Sequence, residues 1–350
     1  MKKILFTGGG SAGHVLPNLA LMEEFLSTGE ADVCYMGTNG IEKDIVSKRN
    51  VPFYEIECPK LIRGGGWKSF QRNLGIPKML KTAKLQALKG LEIFKPDLVF
   101  SKGGYVALPV VSAAKKLGIP CLCHESDLSL GLANRLSAPK CERCFTSFPE
   151  TAKTVRNGKY SGAPLRRSLF QISPAQARKQ LDIAPNEKVL LIFGGGSGSV
   201  AINNAVRKHL KVLTAKYSVL HVCGKGNTIK SNVKNYRQFE FVADMGAMYN
   251  ASDLIVARAG SGTVFEIVSL KKPSVLIPLE GETRGDQWEN AEYFFKKGLC
   301  RILPQNNLDS LPKTVDETLA DKTLKENLLV SHFTAGNDLL LREIRAILHR

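Results

Sequence analysis

The sequence predicts an α/β protein made of two Rossmann-like domains that face each other across a cleft. Short apolar runs alternate with helical patterns along the chain, which is typical of a parallel sheet covered by helices. A glycine-rich turn follows an apolar run twice, at 8–13 and at 194–198. The 350 residues are enough for two domains, each with its own core.

The first half contains the elements of one such domain in order. A helix from about Val15 to Ser27 follows the first glycine turn, and a second helix is predicted near 108–117. The predicted strands are 3–7, 32–36, 97–100 and 118–123. Because ligands bind at the carboxyl ends of parallel strands, the glycine turn is expected to line the cleft.

The pattern restarts near Gly162, so we place the N-terminal domain at 1–163 and the C-terminal domain at 164–350. A helix is expected to run through Ile202 and Val206, and a last helix, about 333–350, to pack back on the N-terminal domain. The predicted strands of this half are 189–193, 219–223, 239–242, 254–257 and 274–278.

The segment 253–266 predicts a phosphate-binding site. Its strand leads through small residues, Ala259 to Gly262, into a helix that is expected to start near Thr263. A helix start offers unpaired N–H groups and a partial positive charge to a diphosphate. Glu266, one turn further, could accept hydrogen bonds from both hydroxyls of a ribose. The alternative is an ordinary strand-to-helix turn with a solvated glutamate.

The first glycine turn formally matches the dinucleotide fingerprint at Gly8, Gly10 and Gly13. That fingerprint also needs an acid at the end of the second strand, where this chain has Met36 followed by glycine and threonine. We therefore disfavour NAD or FAD and expect no cofactor.

Composition indicates a globular protein that stays in the cytoplasm. Hydrophobic residues make up 43% and charged residues 23%. No apolar run reaches the roughly 18 to 20 residues of a membrane span, and the apolar run at the start is too short for a signal peptide. The eight cysteines are expected to be reduced. The pairs 121/123 and 141/144 each lack a second ligand pair along the chain, so no structural metal is expected.

About half of the net charge of +17 lies in one segment. Residues 60–95 carry nine basic side chains and one acidic one, interleaved with Trp67, Phe70, Met79 and other apolar residues. Such a segment is typical of a surface that docks on anionic lipid headgroups. Nucleic acid is the rival partner, without a recognition motif to support it, and a solvated helix face is the simplest alternative.

Several motifs occur in a fixed order: TGGGSAGHV at 7–15, KGGYV at 102–106, HE at 124–125 with GLANR at 131–135, GAPLR at 162–166, FVADM at 241–245, RAGSGTVFE at 258–266, and DQ at 286–287 with NA at 290–291. In this order and spacing, from residue 3 to about residue 300, they resemble the MurG family of peptidoglycan N-acetylglucosaminyltransferases, in glycosyltransferase family 28. The resemblance implies a GT-B fold and a peripheral enzyme on the cytoplasmic face of the cell membrane. The implied reaction transfers N-acetylglucosamine from UDP-N-acetylglucosamine to the 4-hydroxyl of lipid I, undecaprenyl-pyrophosphoryl-MurNAc-pentapeptide, forming lipid II.

The resemblance also implies roles for individual residues, with the donor in the C-terminal domain and the lipid acceptor in the N-terminal domain. Glu266 would take the ribose hydroxyls, Val242 would meet uracil with its backbone, and Arg166 would approach the diphosphate. The other implied substrate-binding residues are Ser11, Ala12, Gly13, Asp127, Gly196, Ser197, Ser261, Gly262, Thr263, Asp286 and Gln287.

The implied chemistry needs a base for the acceptor hydroxyl and stabilisation of the leaving diphosphate. The sequence contains no Asp-x-Asp triplet, so we expect that no metal is needed. His14 is the first candidate for the base because imidazole titrates near neutral pH. Glu125 and Asp127 are the alternatives for the base, and His14 could instead cap its helix.

Two departures from the family pattern leave the exact substrates open. The family usually has His-Glu-Gln-Asn where this chain has His124, Glu125, Ser126 and Asp127, and a serine where Gly196 falls. A paralogue acting on another lipid acceptor therefore stays an alternative. A UDP-N-acetylglucosamine 2-epimerase and a non-catalytic nucleotide-sugar sensor are the alternatives from other classes.

Overall fold

The protein is described from a computed structural model that defines residues 1–60, 73–196, 198–279 and 286–350. The chain divides into two compact units. The N-terminal unit consists of residues 1–166 and 335–350, and the C-terminal unit of residues 167–334. Each unit contains one parallel sheet flanked by helices, which confirms the predicted α/β class.

The N-terminal sheet has the strand order β3-β2-β1-β4-β5-β6-β7. Its strands are β1 (Lys2–Thr7), β2 (Ala31–Gly37), β3 (Phe53–Glu55), β4 (Leu98–Ser101), β5 (Cys121–Glu125), β6 (Arg143–Thr146) and β7 (Gly158–Tyr160). Its helices are α1 (Ala12–Thr28), α2 (Ile41–Ser47), α3 (Ile76–Phe94), α4 (Ala107–Lys116), α5 (Leu132–Ser137), α6 (Pro149–Lys153) and α15 (Asn337–Leu348), the last helix described. The strand order reverses between β1 and β4, so the loops after these two strands meet at the carboxyl edge of the sheet.

Both faces of the N-terminal sheet are buried. Phe6 of β1 lies in a cluster with Phe25 of α1 and Leu340 of α15. The neighbouring residue Leu5 lies on the opposite face, in a cluster with Leu91 of α3. Successive residues of a strand point to opposite faces, so one short apolar strand anchors two helix layers.

Polar contacts fix α15 to the N-terminal unit. The side-chain oxygen of Asn337 accepts from the backbone N–H of Leu165 at 2.8 Å, and its NH₂ group donates to the Leu165 carbonyl at 2.9 Å. A Cβ at Gly336 would lie 2.4 Å from the carbonyl oxygen of Ser161, so only glycine permits this approach. The end of the chain is therefore part of the N-terminal core.

The C-terminal sheet has the order β10-β9-β8-β11-β12-β13. Its strands are β8 (Val189–Phe193), β9 (Ser218–Val222), β10 (Tyr236–Phe239), β11 (Leu254–Ala257), β12 (Ser274–Leu276) and β13 (Arg301–Ile302). Its helices are α7 (Pro174–Gln180), α8 (Val200–Lys208), α9 (Leu210–Thr214), α10 (Met245–Ala251), α11 (Ser261–Ser269), α12 (Asp286–Lys296), α13 (Leu311–Ala320) and α14 (Lys322–Val330). Here the order reverses between β8 and β11.

Several predicted element boundaries differ from the structure: the strand expected at 118–123, for example, is Cys121–Glu125. The strand expected at 239–242 lies at Tyr236–Phe239 instead, because Tyr236 pairs with Val219 and the chain leaves the sheet after Phe239. The helix after β11 begins at Ser261 rather than Thr263. Within the described ranges, no helix is both long and apolar enough to cross a membrane.

Candidate active site

Two loops meet at the carboxyl edge of the C-terminal sheet. One loop follows β8 and the other follows β11. These two strands are paired, and Phe193 lies opposite Ala257. The buried Arg258 donates to the carbonyls of Ile277 and Pro278, both at 3.2 Å, and to the Ser199 hydroxyl at 2.9 Å. Arg258 therefore joins both loops and the segment after β12 into one frame, a role that the sequence motif did not reveal.

The start of α11 lies within this frame. Its N-cap residue is Gly260, and Ser261, Gly262 and Thr263 form its first turn. A Cβ at Gly260 or Gly262 would meet no atom within 4 Å, so the space beside this turn is open. The first N–H groups of a helix have no intrahelical acceptor, and the helix dipole adds positive charge there. This part of the structure can hold an anion.

Glu266 lies one turn beyond that start and is half-buried. The Tyr249 hydroxyl donates to its Oε2 at 2.8 Å. Tyr249 itself is buried in α10 and packs edge-on against Phe193, with ring centroids 5.8 Å apart. The Tyr249 hydroxyl therefore orients the Glu266 carboxylate. The sequence analysis missed this contact because the two residues are 17 positions apart.

The remaining C-terminal candidates lie on three segments. Val242 is half-buried in the loop after β10, and Asp286 is the first residue of α12. The side-chain oxygen of Gln287 accepts from the backbone N–H of Leu279 at 3.0 Å, so this amide also fixes the loop after β12. Gly196 is exposed in the loop after β8, whereas Ser197 lies outside the described residues.

The first glycine loop, after β1, is held by a buried glutamate that the sequence analysis did not single out. Glu42 of α2 accepts from the N–H of Gly10 at 3.3 Å and from the N–H of Thr38 at 3.0 Å. A Cβ at Gly9 would lie 2.5 Å from a Glu42 oxygen, and one at Gly104 would lie 2.2 Å from the Gly9 carbonyl oxygen. The loops after β1 and β4 therefore pack directly against each other.

His14 lies in the first turn of α1, next to Ala12 and Gly13. Its Nδ1 is 3.0 Å from the hydroxyl oxygen of Ser11, the N-cap residue, and the imidazole is half-buried. The Ser11 side chain makes no capping hydrogen bond to the helix backbone. The contact instead orients the imidazole at the carboxyl edge of the sheet.

Glu125, the other predicted catalytic residue, uses both oxygens within its own loop. Oε1 accepts from the N–H groups of Ser126 at 2.9 Å and Asp127 at 3.1 Å. Oε2 accepts from the Gly131 N–H at 2.9 Å and from the Asn134 side chain at 3.0 Å. Burial raises the pKa of Glu125, and the Asp127 charge adds to this shift. Four donors on one carboxylate favour a structural role over that of a base.

Two buried basic residues, Lys102 and His124, lie beside Glu125. Lys102 follows β4, and its ammonium donates to the Ser126 hydroxyl at 2.5 Å. Burial lowers the pKa of Lys102 to about 8, although the Glu125 and Asp127 charges oppose the shift. Burial, and next the Lys102 charge, lowers the pKa of His124 well below its usual value. The Nε2 atom of His124 is 3.0 Å from the Gly162 carbonyl oxygen. His124 is therefore neutral and structural.

The structure thus groups the candidates by unit. His14 and Ser11 follow β1, Asp127 follows β5, and Arg166, half-buried, ends the first segment of the N-terminal unit. Glu266 and its neighbours belong to the C-terminal unit. In the part of the chain that is described, no group of three or more His, Cys, Asp or Glu side chains could hold a metal ion.

Sequence comparison agrees with this geometry. Residues 4–146 match the glycosyltransferase family 28 N-terminal domain, and residues 189–333 match the C-terminal domain of that family. The chain is 42% identical over 315 residues to the UDP-N-acetylglucosamine–N-acetylmuramyl-(pentapeptide) pyrophosphoryl-undecaprenol N-acetylglucosamine transferase of Clostridium perfringens, covering 88% of this chain and 87% of that one. This chain belongs to glycosyltransferase family 28.

Solved structures extend the comparison for this family 28 chain. It is similar to Acinetobacter baumannii MurG, with a TM-score of 0.74, 25% identity, and coverage of 99% of this chain and 100% of that one. It also shares its fold with a UDP-GlcNAc 2-epimerase from Neisseria meningitidis, with a TM-score of 0.66, 17% identity, and 99% coverage of both chains. The prediction of a GT-B glycosyltransferase related to MurG is confirmed.

Proposed function

We propose that this family 28 enzyme transfers N-acetylglucosamine from UDP-N-acetylglucosamine to the muramyl 4-hydroxyl of lipid I, forming lipid II for peptidoglycan synthesis. The observation that carries the proposal is the 42% identity, over most of both chains, to a transferase of that name. The open, glycine-lined start of α11 with an acid one turn further supports the use of a nucleoside diphosphate sugar.

We assign the donor to the C-terminal unit. The N–H groups of Ser261, Gly262 and Thr263 would bind the diphosphate, and Glu266 would accept from the ribose hydroxyls. Val242 would meet uracil with its backbone. Asp286, Gln287 and the loop containing Gly196 and Ser197 would surround the sugar.

We assign the base to His14. When its Nδ1 carries a proton and donates to Ser11, Nε2 holds the lone pair that can take the proton of the acceptor hydroxyl. Ala12 and Gly13 would lie beside the substrate in this arrangement, and Asp127 would accept a hydrogen bond from a substrate hydroxyl. Glu125 is less suited, because four donors already use its carboxylate.

Charge builds on the leaving UDP as the glycosidic bond breaks. The N–H groups at the start of α11 and the guanidinium of Arg166 would stabilise this charge. The absence of an Asp-x-Asp triplet in the sequence supports transfer without a metal or other cofactor.

The enzyme would act as a peripheral protein on the cytoplasmic face of the cell membrane, where lipid I is anchored. Of residues 60–95, Lys60 and 73–95 are described, and α3 supports the docking role. Ala83, Ala87 and Leu91 face the core, while Lys78 and Lys81 are exposed. Four apolar side chains of this segment are also exposed: Leu74 (63%), Met79 (49%), Leu85 (52%) and Ile93 (69%). Such a mixture of lysines and apolar groups suits an anionic lipid surface.

The test is transfer of radiolabel from UDP-N-acetylglucosamine to a lipid I analogue, with and without a chelator. The proposal expects labelled lipid in both cases. Label on a different lipid only would indicate a paralogue, and hydrogen exchange at the sugar C2 without any acceptor would indicate an epimerase. Binding of the donor with no turnover on either substrate would indicate a sensor.

A further inference from the structure

A compact charged cluster lies at the carboxyl edge of the N-terminal sheet, and its buried lysine, Lys102, has no role in the proposed donor and base assignments. Lys102 follows β4, and Ser126 and Asp127 follow the neighbouring strand β5. The Lys102 side chain is 1% exposed and donates to the Ser126 hydroxyl at 2.5 Å. Two carboxylates, those of Glu125 and Asp127, act on the ammonium electrostatically.

Burying an ammonium is costly unless its charge is balanced. Of the two nearby acids, Glu125 is already stabilised by four N–H donors from residues 126–134. Asp127 is the half-buried one and lies nearer the surface of the edge. The Lys102 ammonium, held at the neighbouring Ser126, is therefore placed to balance the charge of the Asp127 side chain.

The backbone places this cluster beside the proposed base. The Lys102 N–H donates to the Thr7 carbonyl at 2.8 Å, and a Cβ at Gly8 would lie 3.2 Å from the Lys102 Cβ. Lys102 thus lies directly against the glycine loop that leads to His14. A carboxylate is an acceptor-only group, so at this edge it suits a hydroxyl donor.

We propose that Lys102 is a positioning residue for Asp127, holding the Asp127 side chain where it accepts a hydrogen bond from a sugar hydroxyl of the donor or of the acceptor. The inference rests on the proposed glycosyl transfer and deepens it. It also explains why this chain can have Asp127 where the family pattern has an amide, because the Lys102 cation compensates for the added negative charge.

The test is a double-mutant cycle with Lys102→Met, Asp127→Asn and the double variant, each assayed for transfer to a lipid I analogue. We expect kcat/KM to fall about tenfold or more in either single variant. The double variant should stay within about threefold of Asp127→Asn, because an amide needs no counter-charge. Lys102→Gln enters the same cycle with the same expectation, so a Met variant that does not fold leaves the test intact.

Two readouts separate positioning from a merely structural role. The first is which KM rises: Lys102→Met and Asp127→Asn must raise the KM for the same substrate. That substrate is UDP-N-acetylglucosamine if the donor supplies the hydroxyl, and the lipid if the acceptor supplies it. Burial lowers the Lys102 pKa to about 8, so wild-type activity should decline above that pH and the variant should lack this decline. The groups that face Lys102 are Glu125, Asp127, His124, Cys123 and Cys144.

Losses that multiply in the double variant, or a Lys102→Met enzyme as active as wild type, would overturn the inference. So would a variant whose only change is a lower melting temperature. The wild-type rate is a separate result: an inactive wild type refutes the proposed transfer, whereas an active wild type without coupling refutes only the positioning role.

Discussion

Replacing Glu266 by alanine should weaken UDP binding by a predictable amount. Its carboxylate is half-buried, lies one turn inside α11, and is oriented by Tyr249 at 2.8 Å. A hydrogen bond to a charged group contributes about 1.5–3 kcal/mol. Losing two ribose contacts, partly offset by water in the vacated space, should cost about 2–3 kcal/mol. This corresponds to a Kd for UDP that is about 30- to 150-fold higher.

Isothermal titration of UDP and 2′-deoxy-UDP measures this effect. Wild type should prefer UDP, whereas Glu266→Ala should bind the two nucleotides almost equally because the carboxylate that reads the 2′-hydroxyl is gone. Glu317→Ala, on the exposed face of α13, is the matched control and should leave both affinities unchanged. Undiminished UDP affinity in Glu266→Ala would refute the ribose role.

Four further predictions follow from the same structure. His14→Ala should leave UDP affinity unchanged and lower kcat by about 10²- to 10⁴-fold, measured by steady-state transfer. Reversing the charge of Lys78 and Lys81 to glutamate should weaken sedimentation with anionic vesicles, since each nearby lysine contributes about 1 kcal/mol. Leu340→Ala should lower the free energy of unfolding by about 2–5 kcal/mol in urea, because this fully buried side chain joins α15 to the N-terminal core. Burial, and next the Arg207 charge, lowers the pKa of His221 to about 4. Because the unfolded chain therefore binds the proton more readily, the free energy of unfolding should fall as the pH drops from about 6.5 to 4. Urea unfolding should show a shallower pH dependence for His221→Phe.

Matched variants make these results interpretable. Charge reversal at Lys313, an exposed lysine of α13, should leave vesicle binding unchanged. Leu329→Ala, at a side chain that is 72% exposed, should leave stability nearly unchanged. Equal vesicle binding by the Lys78/Lys81 variant and wild type would contradict the docking role. A His14→Ala enzyme with normal kcat would contradict the base assignment.

Much of the fold could be predicted from the sequence because its signals are local. Buried parallel strands such as 189–193 and 254–257 are uninterrupted apolar runs, and each is followed by a turn of small residues. The strand at 239–242 was misplaced because Phe239, Phe241 and Val242 have strand-like side chains. The true boundary depends instead on pairing with β9, and Phe241 is 70% exposed.

The supporting contacts of the site could not be predicted, because they join residues far apart in the chain. Glu42 reaches the loop at Gly10 from 32 residues away, and Arg258 reaches Ser199 from 59 residues away. Glu125 illustrates the reverse difficulty. Its residue type suits a base, but only the folded loop reveals the four donors that occupy it.

The central claim is that the start of α11 holds the diphosphate of a UDP-sugar. A crystal structure of the protein with UDP-N-acetylglucosamine tests it most directly. Our account predicts diphosphate oxygens within hydrogen-bonding distance of the N–H groups of Ser261 to Thr263, with the ribose on Glu266. A nucleotide bound instead at the glycine loop after β1, or away from α11 altogether, would contradict it.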